Sequence, residues 1–148
     1  MSHARMKEMA RKDGFIGRDD LAALADFRRA LRRFLHFTEK TAREFGLTPQ
    51  QHQAILAVRR DPSRDWASLT EIADAMQIRH NAVVGLVDRC EALGLLMRSR
   101  DPEDGRVVRV SLTEVGESKL MDITRRNIHE LKALGALTRD LEALNAGS

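Results

Sequence analysis

Residues 69–93 read LTEIADAMQIRHNAVVGLVDRCEAL. Ser68-Leu69-Thr70-Glu71 is a capping box, and it opens a short helix through Met76. Gln77-Ile78-Arg79 then makes a tight connection. A second helix runs from about His80 to Leu93, closed by Gly94. Ala73 is small where two helices would cross closely. Ile72 precedes it, Ile78 sits in the turn, and Val83 and Leu86 fold the second helix back onto the first. This is the steric pattern of a helix-turn-helix. Gln77 stands where simple helix-turn-helix proteins often carry Gly. An ordinary helical hairpin shares much of the pattern, so the flanking sequence decides between them.

Downstream the texture changes. LLMRSR from Leu95 reads as a strand, Asp101-Pro102-Glu103-Asp104-Gly105 as a turn, and Val107–Leu112 as a second strand with β-branched enrichment. The two form a hairpin with a charged tip. Thr113 caps a following helix carrying Leu120, Ile123, Ile128, Leu131 and Leu134. Gly135 interrupts it, and a short helix through Leu137, Leu141 and Leu144 ends the chain.

Upstream, Leu24, Phe27, Leu31, Phe34, Leu35 and Phe45 recur at helical spacing, which predicts a long amphipathic helix over about 21–45, ended by Gly46. Arg28, Arg29, Arg32 and Arg33 lie between them as a solvated face. Thr48-Pro49-Gln50-Gln51 is a second capping box, starting a helix with Ile55, Leu56 and Val58 on its apolar side and Asp61-Pro62 as its stop. Residues 1–20, with Gly14 and Gly17, read as a loose arm or a short helix. The fold class is mainly α with a small β-hairpin wing, a winged helix-turn-helix.

That order assigns the chemistry. The second helix would enter a DNA major groove with Arg79, His80, Asn81 and Val84 nearest the base edges. Asn suits adenine, Arg suits guanine or phosphate, and Val84 can meet a thymine methyl. Arg106 at the wing tip could enter the minor groove. Arg98, Arg100 and Arg109 flank it and could reach phosphates.

The stretch from Leu69 to Glu117, and above all Asp101-Pro102-Glu103-Asp104-Gly105-Arg106 with its Asp-x-Arg ending, resembles the MarR family of transcriptional regulators. The following Val110-Ser111-Leu112-Thr113 fits the same pattern, and the resemblance spans roughly residues 20–147. It implies a homodimer on a palindromic operator in double-stranded DNA, a repressor above all. The outer helices, about 21–45 and 114–146, would form the dimerisation region of one domain (21–148), with the winged helix-turn-helix at about 48–112 and residues 1–20 as an arm. Arg106 looks like the family's minor-groove arginine, and Asp104 like the carboxylate that orients it. The resemblance leaves room for a small-molecule effector between the dimerisation and DNA-binding regions. Two positions depart from the family pattern. Arg79 stands where a Ser or Thr cap is frequent, and Val84-Gly85 where Ser-Arg is frequent.

Composition sets the other bounds. The 148 residues suit one domain, with 43% hydrophobic and 32% charged side chains. No apolar run approaches the ~18 residues of a membrane span, and the N-terminus lacks an apolar signal core, so no membrane partner and a cytoplasmic location are expected. Neither a cofactor nor an enzymatic activity is expected, since no GxSxG, Walker, HExxH or dinucleotide fingerprint occurs. A single Cys excludes an intramolecular disulfide framework. Cys90 shares an apolar face with Val83, Leu86 and Val87, so it reads as core rather than redox sensor. His36, His52 and His129 lack metal-ligand spacing and read as surface or hydrogen-bonded side chains. Trp66 reads as an anchor for a loop. Two alternatives stay open: a winged-helix protein-interaction module, and a redox- or metal-responsive switch. The formal charge of +3 is unevenly placed. Residues 1–45 carry 11 basic and 7 acidic side chains, 46–112 carry 9 of each, and 113–148 carry 5 and 6.

Overall fold

In the computed structural model, residues 2–12, 16–142 and 144 are described. The elements are α1 (His3–Lys12), α2 (Arg18–Glu44), α3 (Pro49–Val58), β1 (Trp66–Ser68), α4 (Leu69–Met76), α5 (His80–Ala92), β2 (Leu96–Arg100), β3 (Val108–Leu112) and α6 (Glu114–Leu141). They fall into two compact units. One is Thr38–Arg126. The other comprises residues 1–37 and 127–148.

The first unit holds the helix-turn-helix, the wing and the buried core. Both capping boxes form. Thr48 Oγ1 accepts from the Gln51 N–H at 3.1 Å, and the Gln51 side chain accepts from the Thr48 N–H at 3.0 Å. Ser68 and Glu71 exchange the same pair of bonds, each at 3.1 Å. These satisfy backbone donors that a helix start would otherwise leave open. Ile72, Val83, Val87 and Cys90 are fully buried, and Ala73 and Leu86 nearly so. Ile78 packs against them from the turn. Gln77 closes α4 in the left-handed region, at φ 55° and ψ 44°. A Cβ there is costly, so the position demands what glycine supplies freely.

Four features correct the sequence reading. The wing is a three-stranded antiparallel sheet in the order β1-β3-β2, not a two-stranded hairpin. Trp66 lies in β1, opposite Ser111, rather than in a loop. Three residues are too short for a period-2 pattern to register. Gly135 does not interrupt the last helix, since α6 runs unbroken to Leu141. A single glycine costs a helix about 1 kcal/mol, which a 28-residue helix absorbs. Lastly, α3 stops at Val58, ahead of Asp61-Pro62, and Leu56 is exposed while Ala54, Ile55 and Val58 are buried.

The arm reading of residues 1–20 resolves in part. Residues 3–12 form α1, α2 starts already at Arg18, and Gly14 lies outside the described residues. In the second unit many large apolar side chains are exposed, among them Met6, Leu21, Leu24, Leu35, Ile128 and Leu131.

Gly116 marks the tightest backbone approach. A Cβ there would collide with the Leu95 carbonyl and reach 3.2 Å from Leu112 Cδ2. The Thr113 N–H donates to that same Leu95 carbonyl at 3.0 Å, and Thr113 Oγ1 caps α6 by accepting from the Gly116 N–H at 3.0 Å. So the start of α6 is pressed onto the α5–β2 junction, and only glycine fits.

These positions set three expectations for stability. Gly116→Ala should cost about 2–3 kcal/mol in urea unfolding, because neither side of the clash is a flexible side-chain end. Gly135→Ala, with open space around it, should instead gain about 0.5–1 kcal/mol. Equal effects at the two sites would contradict the packing. At the turn, Gln77→Gly should stabilise by roughly 0.5–1 kcal/mol, and a calorimetric loss there would show that the left-handed conformation is not strained.

Candidate nucleic-acid interface

The predicted contact residues divide into an outward set and an inward set. Arg79, His80 and Asn81 are exposed at the start of α5. Arg79 is the N-cap in extended conformation, with no side-chain cap bond. The departure from a Ser or Thr cap therefore leaves the positive end of the helix unsatisfied by its own side chain, where an anion is favoured. Val84 is half-buried one turn further on. Adding a Cβ at Gly85 would bring ordinary contact, 3.5 Å from Arg89 Nη1, so glycine there is not a steric necessity.

At the wing, Asp101 Oδ1 accepts the Glu103 and Asp104 N–H groups at 2.8 and 3.1 Å. These bonds, led by that from Glu103, hold its carboxyl below the usual range. Asp104 Oδ1 accepts from the Arg106 N–H at 3.1 Å and from Arg106 Nε at 3.3 Å. The Arg106 side chain is 93% exposed. An ion pair so exposed is worth about 0–1 kcal/mol, too little to justify it by stability. The contact ties Arg106 Nε to the wing turn. Arg100 is exposed on β2.

Arg98 and Arg109 are placed differently. Arg98 Nη1 pairs with Asp88 at 2.6 Å and Glu91 at 3.3 Å, and Nη2 donates to the Val84 carbonyl at 3.2 Å. It ties β2 to α5 instead of reaching outward. Arg109 pairs with Asp101 at 2.8 Å, and its guanidinium lies 4.0 Å from the centroid of the Trp66 ring. Trp66 and Arg109 share one sheet face, since the register Ser68↔Arg109 makes them diagonal neighbours. Arg64 covers the same indole at 4.1 Å and pairs with Glu71, the α4 capping residue, and with Asp61 at 3.4 Å. This hub was not legible as a site: its members are scattered and no motif joins them. Beside it lies a cleft of about 310 Å³ lined by Ala57, Arg60, Pro62, Trp66 and their neighbours.

Residues 45–107 match the model of the MarR family. The HTH-type transcriptional repressor MdtR of Bacillus subtilis is 31% identical over 78 residues, which cover 53% of this chain and 48% of that protein. Over that stretch the chain is similar to the MarR family. Its matched stretch spans about half the length of that curated relative. The structure of BpsR from Bordetella bronchiseptica, described for regulation of its DNA binding by 6-hydroxynicotinic acid, is 28% identical with a TM-score of 0.57, over 72% of this chain and 79% of that one. AbsC, a MarR family transcriptional regulator from Streptomyces coelicolor, shares the fold at a TM-score of 0.66 and 18% identity, over 81% and 80% of the two chains. The chain thus shares the fold of these two solved structures, with its own wing built from three strands.

The other candidates separate by burial. Cys90 is fully buried in the core, and burial pushes its thiol up to about 11, opposite to what a reactive thiolate needs. His52 is buried at 7% exposure rather than on the surface. Among the described residues no group of three or more His, Cys, Asp or Glu is placed to hold a metal. None of the described helices is long and apolar enough to cross a membrane.

Burial lowers the His52 pKa from 6.5. Its imidazole therefore binds a proton more weakly folded than unfolded. The stability linked to it is complete above pH ~6.5 and is lost as pH falls below that value. Urea unfolding at pH 7.5 and 5.5 should show a loss on acidification that shrinks in His52→Leu. An identical loss in both proteins would count against a buried neutral imidazole.

Proposed function

We propose that this chain is a double-stranded-DNA-binding transcriptional regulator, acting as a homodimeric repressor on a palindromic operator. The observation that carries this reading is the outward set. An α5 start with Arg79, His80 and Asn81 exposed stands in one unit with a wing arginine that its neighbour Asp104 aims into solvent. On this reading α5 enters the major groove, Asn81 and His80 read base edges, and Arg106 enters the minor groove. Arg79 and Arg100 meet phosphates. Val84 lies one turn behind, against a thymine methyl. Arg98 acts by holding α5, through Asp88, Glu91 and the Val84 carbonyl.

Dimerisation is supported by the large apolar side chains that α1, α2 and α6 leave exposed in the single chain, since soluble monomers rarely expose so many together. Two copies would give two reading heads, and a palindrome mirrors that symmetry. A small-molecule effector that binds the DNA-incompetent form more tightly would release the operator by population shift. BpsR offers the parallel, and the effector of this chain is to be sought as a binder of the dimer.

Arg106→Ala should weaken binding to a promoter fragment roughly 10–100-fold with circular dichroism and dimer mass unchanged. Asn81→Ala should change which sequence is preferred. Arg100→Ala should weaken all sequences alike and reduce the salt slope by about one. Gel shifts that leave Arg106→Ala at full affinity would remove the wing from the interface, and a uniform loss for Asn81→Ala would remove it from base reading.

A further inference from the structure

We infer that the indole of Trp66, with Arg64 and Arg109 over it, is the positioning element that fixes the wing root against the helix-turn-helix. The inference rests on the DNA-binding reading above and adds residues to it that need not touch DNA themselves. Arg109 stands on β3, the strand that leads out of the wing, and is bonded to Asp101, whose other oxygen holds the wing turn through two N–H groups. Arg64 stands ahead of β1 and is bonded to Glu71, which caps α4, the helix onto which α5 folds. Trp66 joins the two, with guanidinium carbons at 4.1 and 4.0 Å from its ring centroid. One continuous path thus links the turn carrying Arg106 to the start of the helix-turn-helix. Each guanidinium also has a carboxylate partner, so neither is free to leave the ring without straining an ion pair.

Guanidinium groups stack flat on aromatic faces where an ammonium does not, so arginine at 64 and 109 is not interchangeable with lysine. The consequence is geometric. Arg106 can reach the minor groove in register with α5 only while the wing root is held. Releasing the stack should therefore cost affinity only through Arg106. Residues that contact DNA independently, or that merely stabilise the fold, would give additive losses.

The test is a double-mutant cycle of Arg109→Ala and Arg106→Ala, read on the duplex that the unmodified protein selects from a random library. Arg109→Ala alone should weaken binding roughly tenfold, yet add less than twofold when Arg106 is already Ala. Arg109→Lys, which keeps the charge beside Asp101 but not the planar stack, should behave like Arg109→Ala. Trp66 is the single tryptophan and the chain has no tyrosine. Its emission in the free protein should therefore shift in both variants, a check that needs no DNA. Additive losses in the cycle, full affinity in Arg109→Lys, or unchanged Trp66 emission would overturn the inference alone. A protein that selects no duplex would overturn the DNA-binding reading itself. If Arg109→Ala proves unfolded by circular dichroism, the cycle is run with Arg109→Lys, and the same additive result decides against the inference.

Discussion

The structure depends on the close crossing of α4 and α5 over Ala73. Ile72, Val83, Val87 and Cys90 are completely buried around that crossing, and Leu86 nearly so. A bulkier residue at 73 would part the helices, and interiors packed at crystal density do not absorb such a change locally. Everything outward follows from it. With one face of α5 committed to the core, Arg79, His80 and Asn81 have only solvent to face. The left-handed Gln77 and the glycine-only contact of Gly116 with Leu95 are the geometric conditions on either side of the same module.

Electrostatics refine what the charge count suggests. Residues 46–112 are neutral, with 9 basic and 9 acidic side chains. Much of that balance is local pairing: Arg59 with Asp65, Arg64 with Glu71, Arg98 with Asp88, and Arg109 with Asp101. These pairs organise the module. The exposed cations at the start of α5 and on the wing remain, and under the proposed function a neutral module with a few placed arginines favours specific over non-specific DNA affinity. Placement, not net charge, carries the argument.

The sequence made much of this legible because its signals are local. Two capping boxes, the Ala73–Leu86 spacing and the Asp101–Gly105 turn each lie within one short window, and each took the form the residue types predict. What stayed hidden is non-local or short. β1 is three residues long and exists because β3 lies beside it. The requirement at Gly116 comes from a carbonyl 21 positions earlier in the chain, with no pattern in sequence to mark it. Arg98 and Arg109 had the right residue type for phosphate contact, but Asp88, Glu91 and Asp101 hold them inward. Only coordinates distinguish an arginine that positions a helix from one that meets a ligand. Gly135 errs in the other direction: a strong local breaker was overridden by a long helix around it.

The central claim is that two copies of this winged helix read one duplex through α5 and the wing. Selection of bound duplexes from a random double-stranded library tests it most directly. The account predicts enrichment of a two-fold symmetric site, with half-site centres about one helical turn apart and A·T-rich flanks where Arg106 enters the minor groove. Enrichment of an asymmetric single half-site, or no enrichment at all, would contradict it.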